Sequence, residues 1–242
     1  RSSSAASDVY KRQYIDSPNY LEIFKERSLM FEINVSAEKG YAWAFPSKGN
    51  LLNIGIGVPL NIFKKEKLDI NVLLQDFIKQ LENRGVVVEN VRDEKSYLLP
   101  FASSRPKITQ NVNVTLIGDA SSMINPMSGE GIFYGMEAGY LLAENTHNLL
   151  DSPDLSKGIV SYEKAFSKRF KKHYLSCALA RLVLQSPFMT KRLLKVASND
   201  QDTIDFVVEL LFDEAYLTFG EVLKIMYKFL LPSKLLFLLS KN

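Results

Sequence analysis

The run from Thr115 to Ile132 gathers residue types that could hold a polyol at one end and an anion at the other. An apolar stretch ends in Gly118-Asp119, and a strand-end carboxylate can accept hydrogen bonds from sugar or polyol hydroxyls. Gly118 lets a backbone or a ligand come close. Asn125-Pro126 then leads to Gly129-Glu130-Gly131-Ile132, a glycine-rich helix start. Unpaired N–H groups at such a start, together with the helix dipole, favour negative charge. Gly131, Gly135 and Gly139 recur every fourth residue and bare a ridge. A flat ligand or a strand can lie on that ridge, or the glycines can serve tight helix-on-strand packing alone.

A second set of candidates lies earlier. Tyr41, Trp43 and Phe45 alternate with small residues, so period-two geometry puts the three rings on one strand face. Pro46-Ser47-Lys48-Gly49-Asn50 is turn chemistry. In the next run Leu52, Ile54, Ile56 and Val58 share one face, and Asn53, Gly55 and Gly57 share the other. The two runs make an antiparallel hairpin. Rings beside a glycine-stripped strand can leave a slot for a flat or elongated apolar ligand, or can form a plain aromatic core. Hairpin register decides which faces meet, and sequence leaves it open.

Elements that must position these groups can be read around them. Leu29–Val35 has strand composition, as do Val86-Val87-Val88 and Val112–Ile117. Asp69 can cap a helix carrying Val72, Leu73, Phe77, Ile78 and Leu81 and ended by Gly85. From Met127 to Leu150, and from Ser156 onward, the patterns are mostly helical, with Ile159, Tyr162, Phe166, Phe170 and Tyr174 in one stripe. The fold class is therefore α+β, sheet-rich first and helix-rich after. The expected domains are an antiparallel-sheet segment with one helix over 14–105, a strand–loop–helix motif over 106–150 and a helical region over 151–242.

Composition narrows the function classes. Of 242 residues, 30 are Lys or Arg and 27 are Asp or Glu, a net +3 that lacks the basic excess of a nucleic-acid protein. One cysteine, Cys177, excludes an internal disulfide and multi-cysteine metal sites, and two histidines, His147 and His173, exclude His-rich ones. Cys177 reads as packing and His147 as a C-terminal-turn residue. Lys164, Lys168, Arg169, Lys171 and Lys172 read as a solvated helix face, with contact to anionic lipid as the alternative. These features, without a secretory h-region, point to a cytoplasmic protein with the option of peripheral membrane contact.

Both ends read as special cases. Asp8–Gln13 matches a translated transposase sequencing adapter, so residues 1–13 are expected to lie outside the fold and the chain to be a C-terminal piece of a longer protein. Near the other end Val222, Ile225, Met226, Phe229 and Leu230 form a helical stripe. It reads as a core-packing tail, with a helix resting on a bilayer as the alternative, and Leu235–Leu239 continues it past Pro232. Lysines interrupt the run too often for a membrane span.

Gly129-x-Gly131-x-x-x-Gly135 is not a dinucleotide fingerprint, because that loop must follow its strand directly. Gly55-x-Gly57 runs on into Val58-Pro59-Leu60 and offers no second candidate. Gly118-Asp119-Ala120 followed by Asn125-Pro126 and Gly129-Glu130-Gly131 nevertheless resembles the second FAD-contacting motif of glutathione-reductase-like flavoproteins. Gly40-Tyr41-Ala42-Trp43-Ala44-Phe45-Pro46, followed by Asn53-Ile54-Gly55-Ile56-Gly57, resembles the Tyr-x-Trp-x-Phe-Pro hairpin of the geranylgeranyl reductase family. The likeness covers roughly 14–150.

That resemblance implies an antiparallel substrate domain joined to the remnant of a glutathione-reductase-like FAD-binding fold. It implies an FAD-dependent reductase of prenyl-lipid double bonds, with NAD(P)H or another reductant as electron donor. Asp119 would hold the ribityl chain of FAD, with Gly118 beside it. The N–H groups around Gly129, Glu130, Gly131 and Ile132 would face the flavin pyrimidine edge, and Pro126 would shape the adjoining loop. Tyr41, Trp43, Phe45, Pro46, Gly55 and Gly57 would line the prenyl-chain site. The family's N-terminal Gly-x-Gly-x-x-Gly unit and cysteine-bearing segment are not seen here, and Ser121-Ser122 stands where Ala-Gly is usual. The isolated chain is accordingly expected to bind FAD poorly and to lack turnover. A flavin-dependent aromatic hydroxylase or halogenase and a non-catalytic lipid-binding module are the competing expectations.

Overall fold

The computed structural model describes residues 7–24, 29–35, 40–100, 108–111, 114–150, 152–184, 186–212 and 215–230. The chain divides into two compact units, 1–99 and 100–242, described separately below. The boundary thus falls a few residues before the expected 105/106. No separate domain begins at 151, because the helices on either side of that point share one core.

The first unit is a five-stranded sheet backed by helices. Its elements are β1 (Ser7–Asp16), α1 (Tyr20–Phe24), β2 (Met30–Val35), β3 (Gly40–Pro46), β4 (Leu51–Pro59), α2 (Leu60–Lys65), α3 (Ile70–Asn83) and β5 (Glu89–Pro100). The strand order is β2-β3-β4-β1-β5, with the β1–β4, β2–β3 and β3–β4 pairs antiparallel. One sheet face is the core: Ala42, Ala44, Leu52, Ile54, Ile56 and Val58 are buried with Leu73, Leu74, Phe77, Ile78 and Leu81 of α3. The Asp69 carboxylate accepts the Asn71 N–H at 2.8 Å at the start of α3. Such a cap stabilises a helix by about 1 kcal/mol. The helix stops at Asn83, two residues before Gly85, whose φ of +89° suits glycine.

Two expectations are corrected here. Residues from Ser7 onward do not stand outside the fold: Asp8–Asp16 pair in register with Pro59–Leu51, which makes β1 an interior strand. Its core-facing positions include Lys11 and Gln13 beside Ile15, so it carries no apolar alternation to signal a strand. The buried Lys11 is held by Asn71 and Glu94. Likewise Val86-Val87-Val88 is not a strand, and β5 begins at Glu89. Its charged side chains cross to β1, with Arg92 on Asp16 and Asp93 on Arg12.

The second unit starts with a small hairpin, β6 (Thr109–Asn111) and β7 (Val114–Thr115). A 3-10 turn over Gly118–Ser121 and a loop lead to α4 (Ile132–Thr146). The helix therefore begins five residues after the expected Met127, beyond a loop that is itself hydrogen-bonded. It packs on the 30-residue α5 (Leu155–Leu184), where Tyr162, Phe166, Phe170 and Tyr174 bury against Tyr134 and Ala138. Then come α6 (Pro187–Ala197), α7 (Gln201–Phe212) and α8 (Phe219–Leu230). Ser186 caps α6 through the Met189 N–H, with Pro187 in the first turn. The apolar stripe expected at Val222–Leu230 falls in α8, but its side chains, like Leu235–Leu239, lie outside the described residues. No helix among the described residues is long and apolar enough to cross a membrane.

Candidate functional site

The hairpin register sets the aromatic candidates on one face. Tyr41 pairs with Gly57, Trp43 with Gly55 and Phe45 with Asn53, so the rings and the glycines lie on the same side of the sheet. They do not leave an open slot. A Cβ on Gly55 would sit 2.1 Å from the Trp43 indole, and one on Gly57 would sit 2.2 Å from the Tyr41 ring. Each ring folds flat over a glycine, the close approach that a glycine inside a strand permits. The Trp43 Nε1–H donates to the Asn53 Oδ1 at 3.1 Å and fixes the indole there.

Leaning across β4 lets the β3 rings reach a strand two places away. Trp43 meets Tyr10 of β1 at 6.2 Å between ring centroids, and Tyr10 meets Tyr97 of β5 at 5.7 Å. On the other side Tyr41 stacks on Phe31 of β2 at 5.9 Å. The outcome is an aromatic layer spanning the sheet, with Tyr41, Trp43 and Phe45 half-buried and Pro46 at the strand's end. Tyr10 and Tyr97 belong to it, and sequence reading missed both. Tyr10 was set aside with residues 1–13, and β5 carried too many charges to read as a strand.

In the second unit the Gly118–Ile132 candidates come together around the start of α4. Gly118 has φ +58° and open space where a Cβ would point. Its Cα lies 3.4 Å from the Cβ position of Gly135, while Gly131 abuts Ile124 and the Met123 carbonyl. Two of the three ridge glycines are therefore covered by the chain's own loop, and Gly139 alone faces open space. Asp119 is exposed beside Gly131, its Oδ1 3.7 Å from that glycine's Cβ position. The Glu130 carboxylate accepts the Phe133 N–H at 2.8 Å. The Gly131 and Ile132 N–H groups have no hydrogen-bond partner among the described residues.

Asn125, which the motif contains without an expected role, holds this loop. Buried Asn125 accepts the Met127 and Ser128 N–H groups on Oδ1 at 2.8 and 3.2 Å. Its amide nitrogen donates to the Leu210 carbonyl at 3.0 Å and the Tyr134 hydroxyl at 3.2 Å. Its backbone N–H donates to the Glu130 carbonyl at 2.7 Å, and Arg181 donates to the Pro126 carbonyl at 2.8 Å. Tyr134 meets His173 Nε2 at 2.7 Å, and His173 Nδ1 meets the Ala215 carbonyl at 2.6 Å. The two free N–H donors, the exposed carboxylate and the bare Gly118 fit a polyol-linked group that carries negative charge at one edge. Burial pushes the Cys177 thiol up to about 12, which agrees with packing rather than reactivity.

Residues 12–95 match the family model of the geranylgeranyl reductase catalytic domain. Through this segment the chain is similar to the geranylgeranyl reductase family. The menaquinone reductase of Mycobacterium tuberculosis is 35% identical over 118 residues, which are 49% of this chain and 28% of that protein. The digeranylgeranylglycerophospholipid reductase of Thermoplasma acidophilum is 26% identical over 200 residues, covering 78% of this chain and 44% of that one. The chain thus spans less than half the length of these relatives. A geranylgeranyl bacteriochlorophyll reductase-like structure from the same archaeon superposes with a TM-score of 0.62 at 19% identity, over 94% of this chain and 56% of that one. The flavin-dependent brominase Bmp2 follows at 0.56, 16% identity, 93% and 56%. These two likenesses establish the fold, a mixed helix and antiparallel-sheet architecture also used by flavin-dependent enzymes.

Proposed function

We propose that this chain is part of an FAD-dependent oxidoreductase that saturates carbon–carbon double bonds in a prenyl-chain lipid of geranylgeranyl type, with NAD(P)H or another reductant supplying electrons. The observation that carries the reading is the aromatic layer on the family-matched sheet, built from Tyr41 and Trp43 lying over Gly57 and Gly55. Such a surface gives a flexible polyene apolar contact at low ordering cost, because its rings are already fixed by one another and by Asn53. Phe45 and Pro46 extend it toward the turn.

FAD, when bound, would supply the hydride-transfer chemistry that no side chain can. Asp119, next to Gly118, would accept hydrogen bonds from its ribityl hydroxyls. The Gly131 and Ile132 N–H groups, at the positive end of α4, would stabilise negative charge at the pyrimidine edge. Gly129, at φ +76°, and Pro126 shape the loop, and Glu130 ties it to the helix through the Phe133 N–H. Alone, the 242 residues hold FAD weakly and do not turn over. Stoichiometric flavin absorbance co-purifying with them would contradict that.

The protein is cytoplasmic and touches the membrane that holds its lipid only at the surface, a reading supported by the exposed Phe188 and Phe219. No nucleic acid takes part. A geranylgeranyl lipid carrying a photoactivatable diazirine tests the substrate reading. Peptide mapping is expected to find adducts on β3 and on neighbouring strands of the aromatic face. Adducts confined to the helical unit would refute it.

A further inference from the structure

His173 of α5 is buried, and the flavin reading leaves it without a task. Its two ring nitrogens face groups of opposite kinds. Nδ1 lies 2.6 Å from the Ala215 carbonyl, which can only accept a hydrogen bond, so Nδ1 carries a proton. Nε2 lies 2.7 Å from the Tyr134 hydroxyl and 3.3 Å from Asn125 Nδ2. The Asn125 amide cannot be turned over, because its Oδ1 takes the Met127 and Ser128 N–H groups. Its Nδ2 therefore offers only hydrogens, one of them to the Tyr134 oxygen at 3.2 Å. That leaves the Tyr134 proton for Nε2, which must itself be bare.

The surroundings thus favour a neutral ring. A proton on Nε2 would oppose the Asn125 amide hydrogens and displace the Tyr134 proton from its acceptor. Tyr134 of α4 stacks on the ring at 5.8 Å between centroids, and Tyr174 of α5 meets it at 6.1 Å. Cys177 Sγ lies 3.4 Å from Nε2 and donates to the Leu210 carbonyl of α7, which also takes Asn125 Nδ2. Of the charged groups nearby, the Glu130 carboxylate is taken by the Phe133 N–H, and the Lys172 ammonium lies over the Tyr216 ring at 4.9 Å.

We infer that His173 is the positioning residue of the Asn125 loop and makes that loop sensitive to acid. As a neutral Nδ1–H imidazole it orients the Tyr134 hydroxyl, and Tyr134 orients the amide that holds Met127 and Ser128. Proton uptake at Nε2 turns an acceptor into a donor and loosens the loop ahead of Gly131 and Ile132. The consequence for a cofactor rests on the flavin reading, whereas the tautomer and the loop's response to pH do not. A solvated imidazole takes up a proton near about pH 6.5, and the closed loop has no place for it. Opening therefore binds one proton, and below that pH the opening equilibrium grows up to about tenfold per unit.

With only His147 and His173 in the chain, nitrogen NMR of the imidazoles in the 242-residue protein resolves both. At pH 7.5 His173 is expected as the Nδ1–H tautomer. Amide exchange at Met127 and Ser128, corrected for its intrinsic pH dependence, should show opening that rises up to about tenfold per unit between pH 6.5 and 5. His173→Gln, which keeps an acceptor oxygen near the Nε2 position, should hold the loop closed and remove that dependence. His173→Asn, which keeps only a donor toward Ala215, should open the loop about tenfold even at pH 7.5. A charged or Nε2–H ring at pH 7.5 overturns the inference, as does wild-type opening that stays flat with pH. Equal pH dependence in wild type and H173Q overturns it too. The first two readings need no variant, so a variant that fails to fold leaves the inference decided. FAD affinity that ignores pH while the loop responds supports the positioning role and counts against the flavin reading alone.

Discussion

The Trp43 indole lies flat on Gly55, near enough that a single Cβ would come within 2.1 Å of the ring. This contact carries the aromatic layer from β3 over β4 to Tyr10 of β1, which neighbouring-strand pairs alone could not reach. Gly55→Ala should therefore lift the indole and destabilise the first unit by ~1–3 kcal/mol, the usual cost of overfilling a packed site. The urea midpoint should fall, and the emission of Trp43, the one tryptophan, should shift to the red. Gly49→Ala in the turn would isolate the effect of φ, because that position has open space and φ +68°.

Asp119 is exposed and its carboxylate makes no hydrogen bond among the described residues, so its role should appear in ligand binding and not in stability. Asp119→Ala is expected to move the melting free energy by less than ~0.5 kcal/mol. The same change should weaken FAD binding, read by flavin fluorescence, about tenfold or more.

Asn125 should behave in the opposite way. Its side chain meets two backbone N–H groups, a carbonyl and a hydroxyl, all buried or half-buried. Asn125→Ala is expected to cost at least ~2 kcal/mol in denaturant unfolding, because several buried partners lose their match together. Asn125→Asp should be no milder, since a carboxylate would face the Leu210 carbonyl it now donates to.

Burial pushes both the Cys177 thiol and the Tyr162 hydroxyl up to about 12, from ordinary values of 9.0 and 10.0. Raised folded-state values mean that the native state resists losing these protons. Stability is therefore whole below about pH 9 and falls as pH rises toward 12. Melting curves from pH 8 to 11 should show that decline, and a thiol reagent at pH 8 should label Cys177 only after unfolding.

Sequence made the β3–β4 hairpin legible because Tyr41, Trp43 and Phe45 alternate against Leu52, Ile54 and Ile56 with a two-residue period. It also showed the α5 stripe, since Tyr162, Phe166, Phe170 and Tyr174 keep helical spacing. It could not show β1, whose inward positions include Lys11 and Gln13, nor β5, whose charges mask a strand. Those strands gain their place from backbone pairing, which leaves no mark in side-chain pattern. At the flavin-type motif the residues were legible but the Asn125 network was not. Its partners Tyr134, His173 and Leu210 are distant in sequence and only the fold collects them.

Trp43 offers the most direct reading of the account, because it sits in the proposed prenyl surface and no other tryptophan obscures it. Titration of a geranylgeranyl lipid, below its micellar concentration, should change the Trp43 emission saturably, and Tyr41→Ala should weaken that response severalfold. An emission that stays unchanged across the titration, in a chain shown to be folded, would contradict the assignment of this sheet to a prenyl chain.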